Sequence, residues 1–176
     1  MPGLGREALE RWGGLLAGEG FPRRLVGAGE EGTPHDTLLV GVGGEGAAHT
    51  HQLELSFVPG MEEQLDGAAL LQCFAAVRAE VRDAAVPELL RLLARVNGRL
   101  PLVGFGYLEA ERMACFRHVL MLPAAPGAAD PLVVQTTWVA SYLLTVFGEA
   151  VAAAASGRLG ADAALAGTPF AGLFRG

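Results

Sequence analysis

A run of glycines in the first third of the chain has the spacing of a phosphate-binding loop. Gly41-Val42-Gly43-Gly44-Glu45-Gly46 matches the G-x-G-x-x-G pattern of dinucleotide-binding proteins. In those proteins a helix follows the loop, because the helix N-terminus holds the pyrophosphate. Here the residues that follow predict a strand. The pattern therefore favours a flexible hairpin loop between two strands.

His49 and His51 lie two residues apart, which is a workable spacing for two metal ligands on one side of a strand. A metal site needs further ligands, and the remaining candidates show no ligand-type spacing: His35, Cys73 and Cys115. Both histidines share the apolar face of their strand, so a strand end that emerges from the core accounts for them. We predict no metal site and no cofactor.

Cys115 and His118 are the residue types of a nucleophile and its base. Three residues apart in a predicted strand, they point to opposite faces and cannot form a hydrogen bond. Cys73 lies in the apolar row of another strand, so both thiols are predicted to be small core residues. The sequence contains no G-x-S-x-G motif and no phosphate-binding P-loop. These observations predict a protein that is not an enzyme.

The charge distribution limits the partners. The net charge is −6; residues 1–66 hold eleven acidic residues and four arginines, and residues 67–176 hold eight and nine. An acidic chain repels phosphates, so we expect no direct contact with nucleic acid, whereas a basic partner protein is favoured. The first twenty residues lack the apolar segment of a signal peptide, and two cysteines cannot form a disulfide framework, which predicts a cytoplasmic protein.

The spacing of apolar residues predicts three helices and five strands. The helices are expected at 4–17, 87–97 and 130–156, and the strands at 37–42, 51–58, 70–82, 102–108 and 113–122. The order α–β–β–β–α–β–β–α is typical of an α+β protein with an antiparallel sheet of about five strands and helices packed on it. Residues 1–157 are predicted to form a single domain, and residues 158–176 a loose C-terminal tail.

The last long helix is unusual because residues 131–148 carry no charge. A helix on a sheet needs one apolar stripe, which Leu132, Val139, Leu143, Val146 and Ala150 can supply. Val134, Trp138 and Tyr142 fall on a different side, which something must cover. A membrane span, burial within the monomer and a protein interface are the three alternatives. Polar residues and missing basic anchors disfavour the membrane. We predict a protein interface at Val134, Trp138 and Tyr142, chiefly between two copies of the chain.

Residues 86–157 resemble the YbjN family, whose fold is shared with type III secretion chaperones. The resemblance is carried by a set of motifs in order: the Leu89–Val96 helix, Asn97, Leu100-Pro101-Leu102, Gly104-Phe105-Gly106, the strand Phe116-Arg117-His118-Val119-Leu120, and the long helix that closes at Gly157. The resemblance implies a non-catalytic, often dimeric protein that binds other polypeptides as a chaperone-like adaptor. A regulatory protein that responds to a small ligand or a metal is the alternative.

Overall fold

The structure, a computed structural model, describes residues 5–43, 51–60, 65, 68–100, 102, 104–123, 125 and 127–174. Its helices are α1 (Arg6–Gly18), α2 (Val86–Asn97), α3 (Asp130–Ala155) and α4 (Ala161–Ala166). Its strands are β1 (Arg23–Val26), β2 (Thr37–Val42), β3 (His51–Phe57), β4 (Ala68–Ala76), β5 (Phe105–Leu108) and β6 (Met113–Pro123). The six strands form one antiparallel sheet in the order β1-β2-β3-β4-β6-β5. The predicted α+β class is confirmed.

One strand and one α-helix of the structure were not predicted from the sequence. Strand β1 lies in a segment predicted to be turns, and it pairs with β2 so that Leu25 lies opposite Leu38. Its four residues are too short for an alternating pattern to stand out. Helix α4 lies in the segment predicted to be a loose tail, and it buries Ala161, Ala164 and Leu165. The predicted loose conformation of this tail is wrong over the residues of α4.

The strand predicted at 70–82 ends at Ala76. Beyond that point the apolar residues Val77 and Val81 are still buried, so the alternating pattern reports burial correctly. Val77 N–H still donates to the Ala114 carbonyl of β6, but further along Arg82 N–H donates to the carbonyl of Ala155 and the Arg112 guanidinium donates to that of Val81. The alternation between buried and less buried residues therefore continues beyond the end of the strand at Ala76.

The described chain divides into two compact units. The first unit comprises residues 1–42, 52–74 and 119–141. It contains α1, β1, β2 and the first twelve residues of α3. Trp12 of α1 is fully buried and lies against Phe57 of β3, with 5.8 Å between the ring centroids. Gly13 allows α1 to approach β2, because a Cβ atom there would be 3.3 Å from Leu38 Cδ1.

The second unit comprises residues 43–51, 75–118 and 142–176, which include α2, β5, the rest of α3, and α4. Asn97 at the end of α2 fixes the start of β5. Its side-chain amide donates to the Phe105 carbonyl at 2.6 Å and accepts from the Phe105 N–H at 3.1 Å. The Phe105 ring packs edge-on against Phe116 of β6, with 5.4 Å between the centroids. Asn97 thus links a helix end to the outermost strand of the sheet.

Candidate protein-interaction surface

Helix α3 is long enough and apolar enough, by length and composition, to cross a membrane. Of its most apolar window, however, 61% is buried within the protein. A core helix of a soluble protein has the same length and composition, and such burial is typical of it. The structure is consistent with a soluble protein, and the side chains of α3 that stay exposed are the relevant ones.

The N-terminal end of α3 is fixed to α1 by a carboxylate. Asp130 accepts hydrogen bonds from Arg11 Nη2 at 3.0 Å and from Trp12 Nε1 at 2.8 Å. Partial burial raises the pKa of this carboxyl, but the hydrogen bonds from Arg11 and Trp12 outweigh that effect and hold the pKa below its usual range. A negative charge in the first turn of α3 is also favoured by the helix dipole.

About two helical turns further along α3, Trp138 contacts the residues that follow α1. Its indole Nε1 donates to Glu19 Oε2 at 3.2 Å, and its ring packs edge-on against Phe21, with 4.7 Å between the centroids. The two contact points, at Asp130 and Trp138, are eight residues apart on α3. Arg11 and Trp12 of α1 hold the first, and Glu19 and Phe21, which follow α1, hold the second. Even so, 48% of Trp138 remains exposed.

The three predicted interface residues lie one helical turn apart along α3 but belong to different units. Val134 and Trp138 are in the first unit, where Val134 is partly buried. Tyr142 begins the portion of α3 in the second unit and is 53% exposed, with its ring 6.4 Å from that of Phe170. The first unit exposes further apolar residues beyond the predicted interface.

On the helices of the first unit, three further large apolar residues are exposed that were not predicted to form the interface: Leu15 of α1, and Leu132 and Val139 of α3. Leu132 and Val139 were predicted to face the sheet, and that assignment is wrong. Leu143 and Ala150 of the predicted stripe are buried, and the buried line of α3 also contains Val133, Ala140, Leu144, Phe147 and Val151. A signal was present in the sequence: Gln135, Tyr142 and Glu149 recur every seven residues, and all three are exposed. Polar residues at this spacing mark the exposed line of a helix.

We call Leu15, Leu132, Val134, Trp138 and Val139 the α1–α3 surface. It lies in the first unit and carries no charge along α3, because the uncharged segment of the helix extends from Pro131 to Gly148. The buried threonines on the opposite side do not disturb the core, since Thr137 Oγ1 donates to the Val133 carbonyl at 2.9 Å. Apolar residues therefore occupy both the buried side and the exposed side of this part of the helix.

In the second unit, residues 158–174 cover α3. Phe147 is almost fully buried, and its ring centroid lies 6.4 Å from that of Phe170 and 6.1 Å from that of Phe174. Glu88 of α2 accepts the N–H of Ala161 at 2.7 Å, which supplies the cap that Gly160 cannot provide. Asp162 pairs with Arg91 at 3.0 Å and also with Arg95. The segment predicted as a loose tail is therefore held by its own subunit.

A shallow groove of about 270 Å³ lies in the second unit. It is lined by Arg82, Ala84, Ala85, Glu88, Ala154, Gly157, Leu159 and Gly160. Its size falls just below that of typical small-ligand sites. Glu88 is already occupied as the cap of α4. The stem of Arg82 packs near Gly157, which ends α3 with a positive φ of 69°. These groups have structural roles at the helix ends.

The cysteines and histidines that the sequence offers for chemistry lie in different parts of the fold. Cys73 and Cys115 are buried, as predicted for core residues, and burial raises the pKa of Cys73 to about 12. His51 is buried beside Gly148 of α3, whereas His35 is exposed. His49 and most of the glycine loop lie outside the described residues. Within the described part of the chain, no group of three or more His, Cys, Asp or Glu residues could hold a metal ion.

Comparisons with protein-family models, with curated proteins and with solved structures found no match to this chain.

Proposed function

We propose that the protein is a non-enzymatic, chaperone-like adaptor of the cytoplasm that forms a homodimer and binds a partner protein. One observation carries the proposal: the α1–α3 surface leaves Leu132, Trp138 and Val139 exposed on an uncharged stretch of helix. Tyr142, the next exposed aromatic residue of α3, belongs to the same proposal. The order of predicted helices and strands that supports the resemblance to the YbjN family is contained in the order of the structure, with β1 and α4 as additions.

The composition of the α1–α3 surface favours protein contact over simple exposure. The cores of protein interfaces are depleted in charge and enriched in aromatic residues, and tryptophan is among the residues that contribute most binding energy. Trp138 is also held in place by Glu19 and Phe21, so little side-chain entropy is lost when a partner covers it. A fixed, half-exposed tryptophan in an uncharged apolar surface has the properties of an interface anchor.

A second copy of the chain is the simplest partner for this surface. In a two-fold dimer the same patch meets itself, so the uncharged side chains of α3 face one another across the contact. The net charge of the chain does not oppose the contact locally, because residues 131–148 are all uncharged. The partner protein would then bind elsewhere on the dimer.

The substitution Trp138→Glu tests the dimer. It places a carboxylate on the α1–α3 surface beside Glu19, and the half-exposed position should tolerate it without loss of the fold. We expect multi-angle light scattering to give the mass of a dimer for the natural chain and of a monomer for the variant, with unchanged far-ultraviolet circular dichroism. Val139→Glu should give the same result from the other side of the surface.

Leu90→Glu provides the matched control, because Leu90 is an equally exposed apolar residue on α2 in the second unit. This variant should retain the dimer mass. A monomeric natural chain at all concentrations up to the highest tested, or equal loss of the dimer in the Leu90 control, would contradict the proposal.

A further inference from the structure

The sheet of the first unit has two faces of different character. Side chains that alternate along β3, β4 and β6 point to opposite sides. One set is buried almost completely: Leu53, Leu55, Leu71, Cys73, Leu120 and Leu122. The intervening residues form the other face, which the described helices leave accessible to solvent over part of its area. We call this second face the outer sheet face.

The outer sheet face carries apolar side chains on two neighbouring strands. Leu70 and Phe74 on β4 are partly exposed, and β6 is the next strand in the sheet. On β6, Val119 is 37% exposed and Met121 is 63% exposed. All four residues belong to the first unit. Solvent-facing strands normally carry polar residues at such positions, so this apolar cluster is unusual for a face that stays in water.

A partly buried carboxylate lies at the side of this cluster. Glu54 of β3 is directly opposite Phe74 of β4 in the antiparallel register. Burial raises the pKa of the Glu54 carboxyl above its usual range, although a hydrogen bond with Gln52 acts in the other direction. Among the described residues, no arginine forms a salt bridge with Glu54. The carboxylate therefore loses part of its hydration without gaining a cation.

The whole first unit reinforces the charge of Glu54. It contains eleven acidic residues and four arginines, a net charge of −7, whereas the second unit has nine arginines and eight acidic residues, a net charge of +1. A partner with positive charge is attracted to such a surface at long range, and a cation that reaches Glu54 gains more than one in bulk water.

We propose that the outer sheet face docks an apolar segment of a partner polypeptide that carries a lysine or arginine, and that this cation pairs with Glu54. The apolar residues of the segment cover Leu70, Phe74, Val119 and Met121. This inference specifies the partner of the proposed adaptor function and rests on that function, but it does not depend on the dimer contact at the α1–α3 surface.

A second copy of the chain does not fit this face. Docking two outer sheet faces would bring two Glu54 carboxylates to one interface and would leave both without a cation. Like charges that face each other across an interface oppose association. Charge complementarity therefore selects a basic apolar segment over self-association at this position.

Peptide binding tests the proposal on the full chain. The probe is a fluorescein-labelled, amidated ten-residue peptide in which leucine alternates with serine and one central serine is replaced by arginine. A matched peptide has glutamate in place of the arginine. By fluorescence anisotropy, we expect the arginine peptide to bind about tenfold more tightly than the glutamate peptide, because the two differ in the charge that meets Glu54.

Two pairs of variants locate the binding. Glu54→Gln should reduce the preference between the two peptides to less than about twofold, whereas the control Glu7→Gln, which removes an equal charge from α1, should keep it. Met121→Ser should weaken binding of both peptides, and the control Leu90→Ser should not. Thermal unfolding of each variant confirms that it is folded.

Each remaining outcome decides against the proposal. If neither peptide binds, if both bind equally, or if Glu54→Gln keeps the preference, the inference is wrong. If Met121→Ser instead lowers the mass of the natural dimer, the outer sheet face is a contact between copies. Trp138→Glu separates the two proposals, since it should remove the dimer and leave the peptide preference unchanged.

Discussion

The two units surround their portions of α3 differently. In the second unit, α3 is covered by residues of the same chain, since Phe170 and Phe174 pack on Phe147. In the first unit, α1 covers only one side of α3, and Trp138 and Val139 stay exposed. The helix has an apolar composition throughout, so the difference comes from the surrounding segments.

This difference shows where the chain supplies its own cover and where it does not. The 158–174 segment is held to α2 by Glu88, Arg91 and Arg95. The first unit also carries all of the net negative charge, because the second unit has a net charge of +1. We therefore place the proposed binding surfaces chiefly on the first unit, where Trp138 and Val139 of α3 stay exposed.

The largest expected effect comes from Phe147→Ala in the second unit. Phe147 is 1% exposed, so its removal leaves a cavity beneath residues 170–174. Truncation of a buried phenylalanine costs about 3–5 kcal/mol in the free energy of unfolding. Urea denaturation monitored by circular dichroism measures the change, and hydrogen exchange should show faster exchange of the amides in α4.

Trp138→Ala is the matched truncation in the first unit. Because the indole is half exposed, we expect a loss of about 1–2 kcal/mol, measured at concentrations at which the natural chain is monomeric. An equal loss for the two variants would contradict the difference between the two portions of α3, because Trp138 would then be as much a core residue as Phe147.

An effect of similar size is expected for Asn97→Ala, which tests how firmly the end of α2 is attached to β5. The substitution removes the hydrogen bonds from the Asn97 side chain to the backbone of Phe105. Leaving these partly buried backbone groups without partners costs about 1–3 kcal/mol. Thermal unfolding measures the loss. Asn97→Asp retains the acceptor and should recover part of the stability, and a neutral result for Asn97→Ala would show that water replaces the amide.

The elements that pack on a regular pattern could be predicted from the sequence, and the sides of α3 could not. Strand β3 alternates in polarity, and α2 has one apolar stripe, so each pattern identifies a single buried face. In α3, Val134 lies on a different side from Leu132 and Val139, and all three are apolar, so no single stripe is distinguished. The burial of Leu165 and Phe174 depends on contacts with distant α2, which local spacing does not report.

The candidate surface was predicted in part for the same reason. Trp138 and Tyr142 are exposed, as an interface requires, because aromatic residues on an uncharged helix are recognisable from type and spacing. Leu15 was not selected, since its exposure depends on how α1 packs beside α3. Glu54 was assigned only to an alternating strand, because its lack of a described cation partner is a property of the folded sheet.

Acid should weaken the first unit through Asp130. Because the pKa of Asp130 in the folded protein lies below that of the unfolded chain, about 4, its bonds with Arg11 and Trp12 contribute stability above that pH. The contribution is lost as the pH falls through the folded-state pKa. Asp130→Asn should cost about 1–2 kcal/mol at neutral pH. Urea denaturation between pH 7 and pH 3 should show a smaller decrease for this variant than for the natural chain. Parallel decreases in the two proteins would contradict the assignment.

The smallest expected effect concerns the contact between α2 and α4, which helps to hold residues 158–174 over α3. Glu88 accepts the first N–H of α4, so Glu88→Ala removes a helix cap at a cost of about 0.5–1 kcal/mol. The loss should be local: hydrogen exchange of residues 161–174 should accelerate, while that of α1 is unchanged. Glu88→Gln keeps an acceptor oxygen and should exchange nearly as slowly as the natural chain. If exchange accelerates equally in α1, the cap stabilises the whole protein and the tail is not a separately held cover. If the exchange of residues 161–174 does not change at all, the ion pairs of Asp162 with Arg91 and Arg95 are sufficient to hold the tail. The contrast between the two portions of α3 then depends on these ion pairs rather than on the cap.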